Sequence, residues 1–397
     1  MKIGFFGNSN NYPFMLARAL RRMGNEILFL IDSGERLNRP EYRYDDISYP
    51  YPSWIQDVSP FDMRECVFPT PKRAQIVRLL RRCDAVILNQ IGPAFLPLAR
   101  RPAIVLLAGS DLDYYGNFQT VANLVREVHR RPVFLRRLFR KYVFQKLISA
   151  QRAGIRSAVA VSYFARGLVP DGDALLDEIG VRDSNRVFIL MTDLNKIHPE
   201  PIPHNKPVRI FCATRLTWKK PMASGTAELD YKGSDVMIRG LGLFVRAAGI
   251  PLDIRLVKKG RHVTETMRLV EEEGLTDQVT WLEEMSQQEV WAEFRQADII
   301  FEQFGQSVVA MAGLDAMAMG RPVIANGRPE IMEKVIGVPS PICQAVAPDE
   351  VCAQLQRLVP SRAERERVGY ASRKYVQDHF SADHAAQICL DRLSKCL

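Results

Sequence analysis

The sequence predicts an α/β protein built from two Rossmann-like, doubly wound parallel-sheet domains that face a central cleft. Three observations carry this expectation. Short apolar runs of strand length alternate with helical patterns along the whole chain. The 397 residues exceed what one hydrophobic core usually serves. The stretch His198–Pro207 holds four prolines in ten residues without periodicity, which reads as a semi-rigid linker between two domains.

In the first half, strand-like runs begin at Ile3, Ile27, Ala85, Ala103, Ala158 and Val187. In the second half they begin at Val208, Leu252, Val279, Asp298 and Pro322. Helical patterns such as Met15–Met23 and Glu289–Gln296 lie between them, as crossovers joining parallel strands require. The boundaries that follow are residues 1–197, a linker at 198–207, a second domain at 208–375 and a terminal helix at 376–397. Open sheets of this kind bind ligands beyond the carboxyl ends of their strands, so the cleft is the expected site.

Composition removes several function classes. Hydrophobic residues at 47% and charged residues at 25% are ordinary for a soluble globular chain. No apolar run approaches the roughly 18 residues that span a bilayer. The opening Met-Lys-Ile-Gly-Phe-Phe-Gly is too short for a signal peptide and reads as a first strand, so a cytoplasmic location is expected. The seven cysteines contain no C-x-x-C pair and the six histidines no metal-ligand spacing, so neither disulfides nor a metal is expected. Gly7 alone survives of a dinucleotide fingerprint, which argues against a hydride-transfer cofactor.

The net charge of +9 is concentrated. From Arg126 to Arg156 there are ten basic residues and one acid, which equals the whole excess. Within that segment Leu135, Leu138, Phe139 and Tyr142 share one helical face, and Arg136, Arg137, Arg140 and Lys141 another. Such a helix suits an anionic membrane surface, giving access to a membrane-associated acceptor from the cytoplasmic side. A core-packed helix with a solvated basic face is the alternative. No nucleic-acid-binding motif accompanies the patch.

The segment Ala297–Glu330 carries the most chemistry. A buried strand leads into small residues from Ser307 to Gly313, through Val309, Ala310 and Met311, and then into a helix bearing Asp315. Small residues let main-chain amides at a helix N-terminus approach an anion, and Asp315 could accept from a ribose diol. The plainer alternative is a βαβ unit with a buried aspartate.

LDAMAMGRPVIANGRPEIM, from Leu314 to Met332, resembles the donor-binding block of GT-B glycosyltransferases of family four. TRLTWKK…YKGSDVMIRGL, from Thr214 to Leu241, resembles that family's Arg…Lys-Gly-x-Asp element, and Arg255–Leu282 resembles the strand, glycine turn, helix and strand that follow it. The resemblance implies a nucleotide-sugar-dependent glycosyltransferase with no cofactor beyond its co-substrate. It implies that Arg215 and Lys232 neutralise the donor diphosphate, that Gly260 lies beneath the nucleobase, and that Asp315 takes the second position of the family's paired-glutamate motif. Here Arg215 and Lys232 stand seventeen residues apart, wider than the family's spacing, and Lys219 or Lys220 in the inserted segment could replace Lys232. The first glutamate of the motif falls on Ser307, while Glu302, thirteen residues before Asp315, reads as the end of a strand.

In the first half, Gly7, Asn8, Asn10 and Asn11 are similar to the acceptor-side loop that faces the donor phosphate in these enzymes, with a plain strand-to-helix turn as the alternative. Asp111, in Gly109-Ser110-Asp111 after the fourth strand-like run, is the expected acceptor contact. The D-x-D string Asp111-Leu112-Asp113 is too common to assign a metal. With no histidine near a predicted strand end, retention of configuration is expected, the leaving phosphate receiving the acceptor proton. The expected reaction moves a sugar from a nucleotide-diphosphate sugar to a saccharide or lipid-linked acceptor, in bacterial surface polysaccharide or glycoconjugate synthesis. The terminal helix is expected to cross back onto the first domain, as in GT-B enzymes. The substituted Ser307 leaves a second reading open, a GT-B protein that binds sugar nucleotide or saccharide without transfer.

Overall fold

In the computed structural model, which describes residues 1–127, 134–219, 231–305 and 309–396, the chain divides into two units. The first comprises Met1–Ile189 with Ala382–Leu397, and the second Leu190–Ser381.

The first unit is built on a seven-stranded parallel sheet in the order β3-β2-β1-β4-β5-β6-β7. Its strands are β1 (Lys2–Phe6), β2 (Glu26–Ile31), β3 (Ile55–Asp57), β4 (Ala85–Asn89), β5 (Ala103–Leu106), β6 (Ala160–Ser162) and β7 (Arg186–Val187). β1 registers Ile3 against Ile27 on one side and Ala85 on the other. The central strands are apolar almost throughout because helices cover both faces. Aromatic pairs fix that packing, with Phe5 on Phe29 at 5.4 Å and Phe14 edge-on to Phe29 at 5.0 Å between ring centroids.

The second unit holds a six-stranded parallel sheet in the order β10-β9-β8-β11-β12-β13. Its strands are β8 (Val208–Cys212), β9 (Leu252–Val257), β10 (Val279–Leu282), β11 (Ile299–Phe301), β12 (Val323–Ala325) and β13 (Cys343–Gln344). Its core gathers Ile210, Ile238, Phe244, Ile254, Phe301 and Leu355. Two of the four edge strands, β3 and β13, lack the apolar run that marks the central strands, and periodicity alone does not reveal them.

The proline-rich stretch belongs to the second unit, so the unit boundary falls at 189/190 and not within residues 198–207. Prolines supply no N–H, and the carbonyls of this stretch need donors from elsewhere. Arg321, fully buried, donates to the carbonyls of Glu200 and Pro201 at 2.9 and 3.1 Å. It also donates to Phe294 and Arg295 at 2.8 and 3.0 Å, and burial pulls its pKa down to about 10. Asn205 adds bonds to the Gln296 carbonyl and the Asp298 carboxylate, both 2.8 Å.

The helix Ala382–Leu393 packs on the helix Tyr12–Arg22 within the first unit, with Arg22 and Asp383 paired at 2.7 Å. The helix Phe134–Ser157 buries Val143, Phe144, Leu147 and Ile148. It leaves Leu135 73%, Leu138 49%, Phe139 50% and Tyr142 48% exposed, so its outer face is apolar as well as basic. Arg130 and Arg131 lie outside the described residues. No helix among the described residues is long and apolar enough to cross a membrane.

Gly154 lets this long helix lie against the segment Gly92–Phe95, since a Cβ there would sit 1.8 Å from the Pro93 carbonyl oxygen. Gly154→Ala is expected to lower unfolding free energy by about 3 kcal/mol, the upper range for overpacking. Gly34→Ala, where a Cβ meets nothing within 4 Å, is expected to stay within about 0.5 kcal/mol of the parent. Urea denaturation of the two variants checks the pair.

Candidate functional site

At the carboxyl edge of the second sheet, three loops are sewn together through their main chains. Leaving β8, the chain runs through Thr214, an exposed Arg215 and Leu216 to Thr217. The Leu216 amide donates to the Lys259 carbonyl at 2.6 Å, and the His262 amide donates to the Leu216 carbonyl at 3.0 Å. This close approach explains Gly260, whose φ of 118° suits glycine and whose Cβ would stand 2.7 Å from the Leu216 amide nitrogen. Gly260 therefore shapes the turn against the Arg215 loop. His262 adds to the seam, its Nδ1 accepting from the amides of Trp218 and Lys219 at 3.0 and 3.3 Å. Lys219 turns away to an ion pair with Glu265 at 2.9 Å.

Lys232 completes the edge. Its amide donates to the Thr217 carbonyl at 2.6 Å, and its carbonyl accepts from the Phe304 amide at 2.8 Å. The span of seventeen positions from Arg215 to Lys232 is thus closed by the direct main-chain bond between Lys232 and Thr217, and the wide spacing does not displace the lysine from the strand ends. Its Nζ lies 2.7 Å from Gln303 Oε1. Gly305 is required beneath it, because a Cβ there would stand 2.0 Å from the Tyr231 carbonyl oxygen.

Glu302, directly after β11, is the residue that sequence spacing missed. It is 5% exposed, accepts from the Thr214 hydroxyl and the Ala310 amide, each at 3.4 Å, and feels the Lys232 charge. Burial pushes its pKa up, opposed by the main-chain amides of Gln303 and Ala310 and by the Lys232 charge. Counting back from Asp315 places the partner position at 307, whereas the fold sets Glu302 beside Lys232. The E-x-F-G string at a strand end was the available signal. Gln303, 1% exposed, and Asn326, whose amide donates to the Gln303 carbonyl at 2.9 Å, brace this corner from β12.

Val309 is buried, and Ala310 precedes the helix Met311–Ala318, whose first amides lack intrahelical acceptors. Ser307 and Lys220 lie outside the described residues.

Asp315 departs from its expected role. It is 1% exposed and accepts from Trp291 Nε1 at 2.9 Å, Gln287 Nε2 at 3.2 Å and the Thr192 hydroxyl. The helix presents it inward to the neighbouring helix Gln287–Gln296, so it fastens packing in the core and is not open to a ribose.

The first unit corrects further expectations. Gly7 has a φ of 87°, and a Cβ there would meet the Asn89 carbonyl oxygen at 2.4 Å. Asn8, fully buried, donates to Asn11 Oδ1 and the Asn38 carbonyl, both 2.8 Å, and accepts from the Phe14 amide. Asn11 donates to the carbonyls of Leu37 and Arg39 at 3.0 and 3.1 Å. These side chains hold the loop after β2 and do not point outward; Asn10 alone remains exposed. Asp111 is likewise committed, accepting from the amides of Ala108 and Gly109 at 2.8 and 2.9 Å and held up to about 6 by burial. Its carboxylate shapes the turn and is not free to meet an acceptor.

Residues 222–360 match the family model described as glycosyl transferases group 1. By sequence, no curated protein matches the chain. Among solved structures, HepE from Anabaena in complex with UDP and glucose matches over 100% of both chains, at a TM-score of 0.63 and 14% identity. Sucrose-phosphate synthase from Thermosynechococcus elongatus matches over 100% of this chain and 99% of its own, at 0.58 and 14%. WaaG, a glycosyltransferase involved in lipopolysaccharide biosynthesis, matches over 99% and 100%, at 0.55 and 11%. At these identities the structural likeness establishes the fold, which is GT-B.

Removing the Asp315 carboxylate strands three donors in the core. Asp315→Ala is expected to cost about 3 kcal/mol of stability, the order of losing more than one hydrogen bond to a charged acceptor. Thermal unfolding checks this; an unchanged melting temperature with weakened nucleotide affinity would return Asp315 to the ligand.

Proposed function

We propose that the chain is a GT-B glycosyltransferase of the group 1 type that moves a sugar from a nucleotide-diphosphate sugar to a saccharide or lipid-linked saccharide acceptor. The observation that carries the reading is the cluster of Lys232, Gln303, Glu302 and Thr214 at the ends of β8 and β11, beside the N-terminus of Met311–Ala318. Breaking the glycosidic bond builds negative charge on the departing diphosphate. A fixed ammonium and oriented amides stabilise that charge where water is excluded. Lys232 supplies the ammonium, and its rigid main-chain seating means little reorganisation accompanies the reaction. Exposed Arg215 adds a second cation on the same loop system, and Lys220 is a further candidate. No metal is needed in this scheme because the protein's own cations carry the charge.

Glu302, whose pKa burial pushes up and the Lys232 charge pulls down, in this reading meets the donor sugar or its phosphate. The transfer proceeds with retention, the leaving phosphate accepting the acceptor's proton. HepE in complex with UDP and glucose makes UDP-sugars the first donors to test. The role of WaaG in lipopolysaccharide biosynthesis supports a bacterial surface glycan as the product class.

The exposed apolar stripe Leu135, Leu138, Phe139 and Tyr142, flanked by Arg136, Arg137, Arg140 and Lys141, supports peripheral attachment to the cytoplasmic face of an anionic membrane. Each basic residue near such a surface adds about 1 kcal/mol of attraction.

Lys232→Ala is expected to lower kcat/KM for the nucleotide sugar by about a hundredfold, the scale of losing one charge-stabilising donor. Nucleoside diphosphate release across a donor panel reads this out; no release with any donor would leave a binding protein. NMR of the product is expected to show the donor's anomeric configuration. Changing Arg136, Arg137, Arg140 and Lys141 to glutamine is expected to abolish sedimentation with anionic liposomes at low salt. Equal sedimentation of parent and variant would remove the membrane role.

A further inference from the structure

His262 stands at the N-cap of the helix Val263–Glu272, yet its ring makes no capping bond to that helix. Instead Nδ1 accepts from the amides of Trp218 and Lys219 at 3.0 and 3.3 Å. An imidazole nitrogen that accepts carries no proton, so the bonded ring is the neutral tautomer with its hydrogen on Nε2.

The bond acts on one peptide plane. The Trp218 N–H and the Thr217 carbonyl belong to the same planar unit, and that carbonyl accepts from the Lys232 amide at 2.6 Å. Turning the plane at one end therefore moves the other. The same histidine grips the preceding residue through its main chain, its amide donating to the Leu216 carbonyl at 3.0 Å. The Trp218 side chain is tied in as well. Its Nε1 donates to the Thr266 hydroxyl at 3.0 Å, and that hydroxyl donates to the His262 carbonyl at 2.6 Å. Ring and main chain of His262 together frame the peptide that seats Lys232.

A second proton on the ring would turn Nδ1 from acceptor to donor, facing two amides that also donate. The ring is half-buried, so a proton reaches it from solvent. Charged groups on the elements around it are Arg215 and Lys219 after β8, Lys258, Lys259 and Arg261 after β9, Lys232 at the entry to Ser234–Ala248, and Glu265 on the helix. Lys219 is paired with Glu265, Lys258 with Glu283 and Lys259 with Glu284. Side chains of these kinds keep one charge between about pH 5.5 and 8, which leaves the imidazole to respond. The seam is complete above the imidazole range and is lost as pH falls through it.

We infer that His262 is a positioning residue for the donor: neutral, it fixes the Thr217–Trp218 peptide and with it Lys232, and protonation releases the nucleotide sugar. This role rests on the reading of Lys232 as the cation that holds the donor diphosphate.

UDP-glucose is the probe, because its diphosphate does not titrate in this range. Calorimetry at about pH 8 and about pH 5.5 is expected to show parent affinity falling about tenfold on acidification, the scale of losing hydrogen bonds to the two amides. His262→Asn, which offers a carboxamide oxygen near the place of Nδ1, is expected to keep the parent's higher affinity at both values. His262→Leu, with no acceptor, is expected to bind about tenfold more weakly at both. Hydrogen exchange without nucleotide reads the clip itself. Protection of the Trp218 and Lys219 amides, corrected for intrinsic rate, is expected to drop about tenfold on acidification in the parent and to hold in His262→Asn. Parent affinity indifferent to pH, or His262→Asn falling in step with the parent, overturns the inference. So does amide protection that ignores pH, which decides the matter if His262→Leu fails to fold. Absence of UDP-glucose binding at the higher pH, with protection still following pH, upholds the clip and counts against the donor reading alone.

Discussion

Two main-chain hydrogen bonds at Lys232, one donated to Thr217 and one accepted from Phe304, hold the candidate site together. They join the loop after β8, the entry to the helix Ser234–Ala248 and the loop after β11. Side-chain chemistry then follows from backbone position: the ammonium meets Gln303, and Glu302 is pulled beneath Thr214 and Ala310. The glycines at 233, 260 and 305 serve the same seam, since at each a side chain would collide with a neighbouring loop. Pre-set cations of this kind favour developing charge without having to rearrange.

The two sheets use similar topology for unlike electrostatics. The second gathers a lysine, an exposed arginine and helix amides at its strand ends. The first gathers aspartates and amides of asparagine, most of them spent on fastening loops. Asn8, Asn11 and Asp111 show how a polar strand-to-helix turn is often paid in internal bonds before any ligand arrives.

The fold was largely legible because alternating apolar runs mark buried parallel strands, and β1, β4 and β8 begin close to where those runs do. β3 and β13 were not, being short edge strands with little apolar content. In the candidate site, motif order pointed to Lys232 and Gly260, and both sit at the main-chain seam that joins the loops after β8 and β11 to their neighbours. Glu302 escaped because spacing along the chain was counted from Asp315, and the connection up to Met311 is longer than the pattern allows. Asp315 misled for a different reason: motif position does not say which side of a helix a carboxylate faces, and here Trp291 and Gln287 claim it. Asn8 and Asn11 were visible as polar residues, but their direction depends on Asn38 and Leu37, distant in sequence.

The bond between Thr217 and Lys232 also fixes both feet of the segment inserted between them, with His262 steadying the near foot at Trp218 and Lys219. Once a loop is pinned at its base, its length matters little to the ground it stands on. Doubling the residues between the feet adds only about 0.6 kcal/mol of closure entropy. Sequence can accumulate or vanish between the two feet while the lysine keeps its register against the strands.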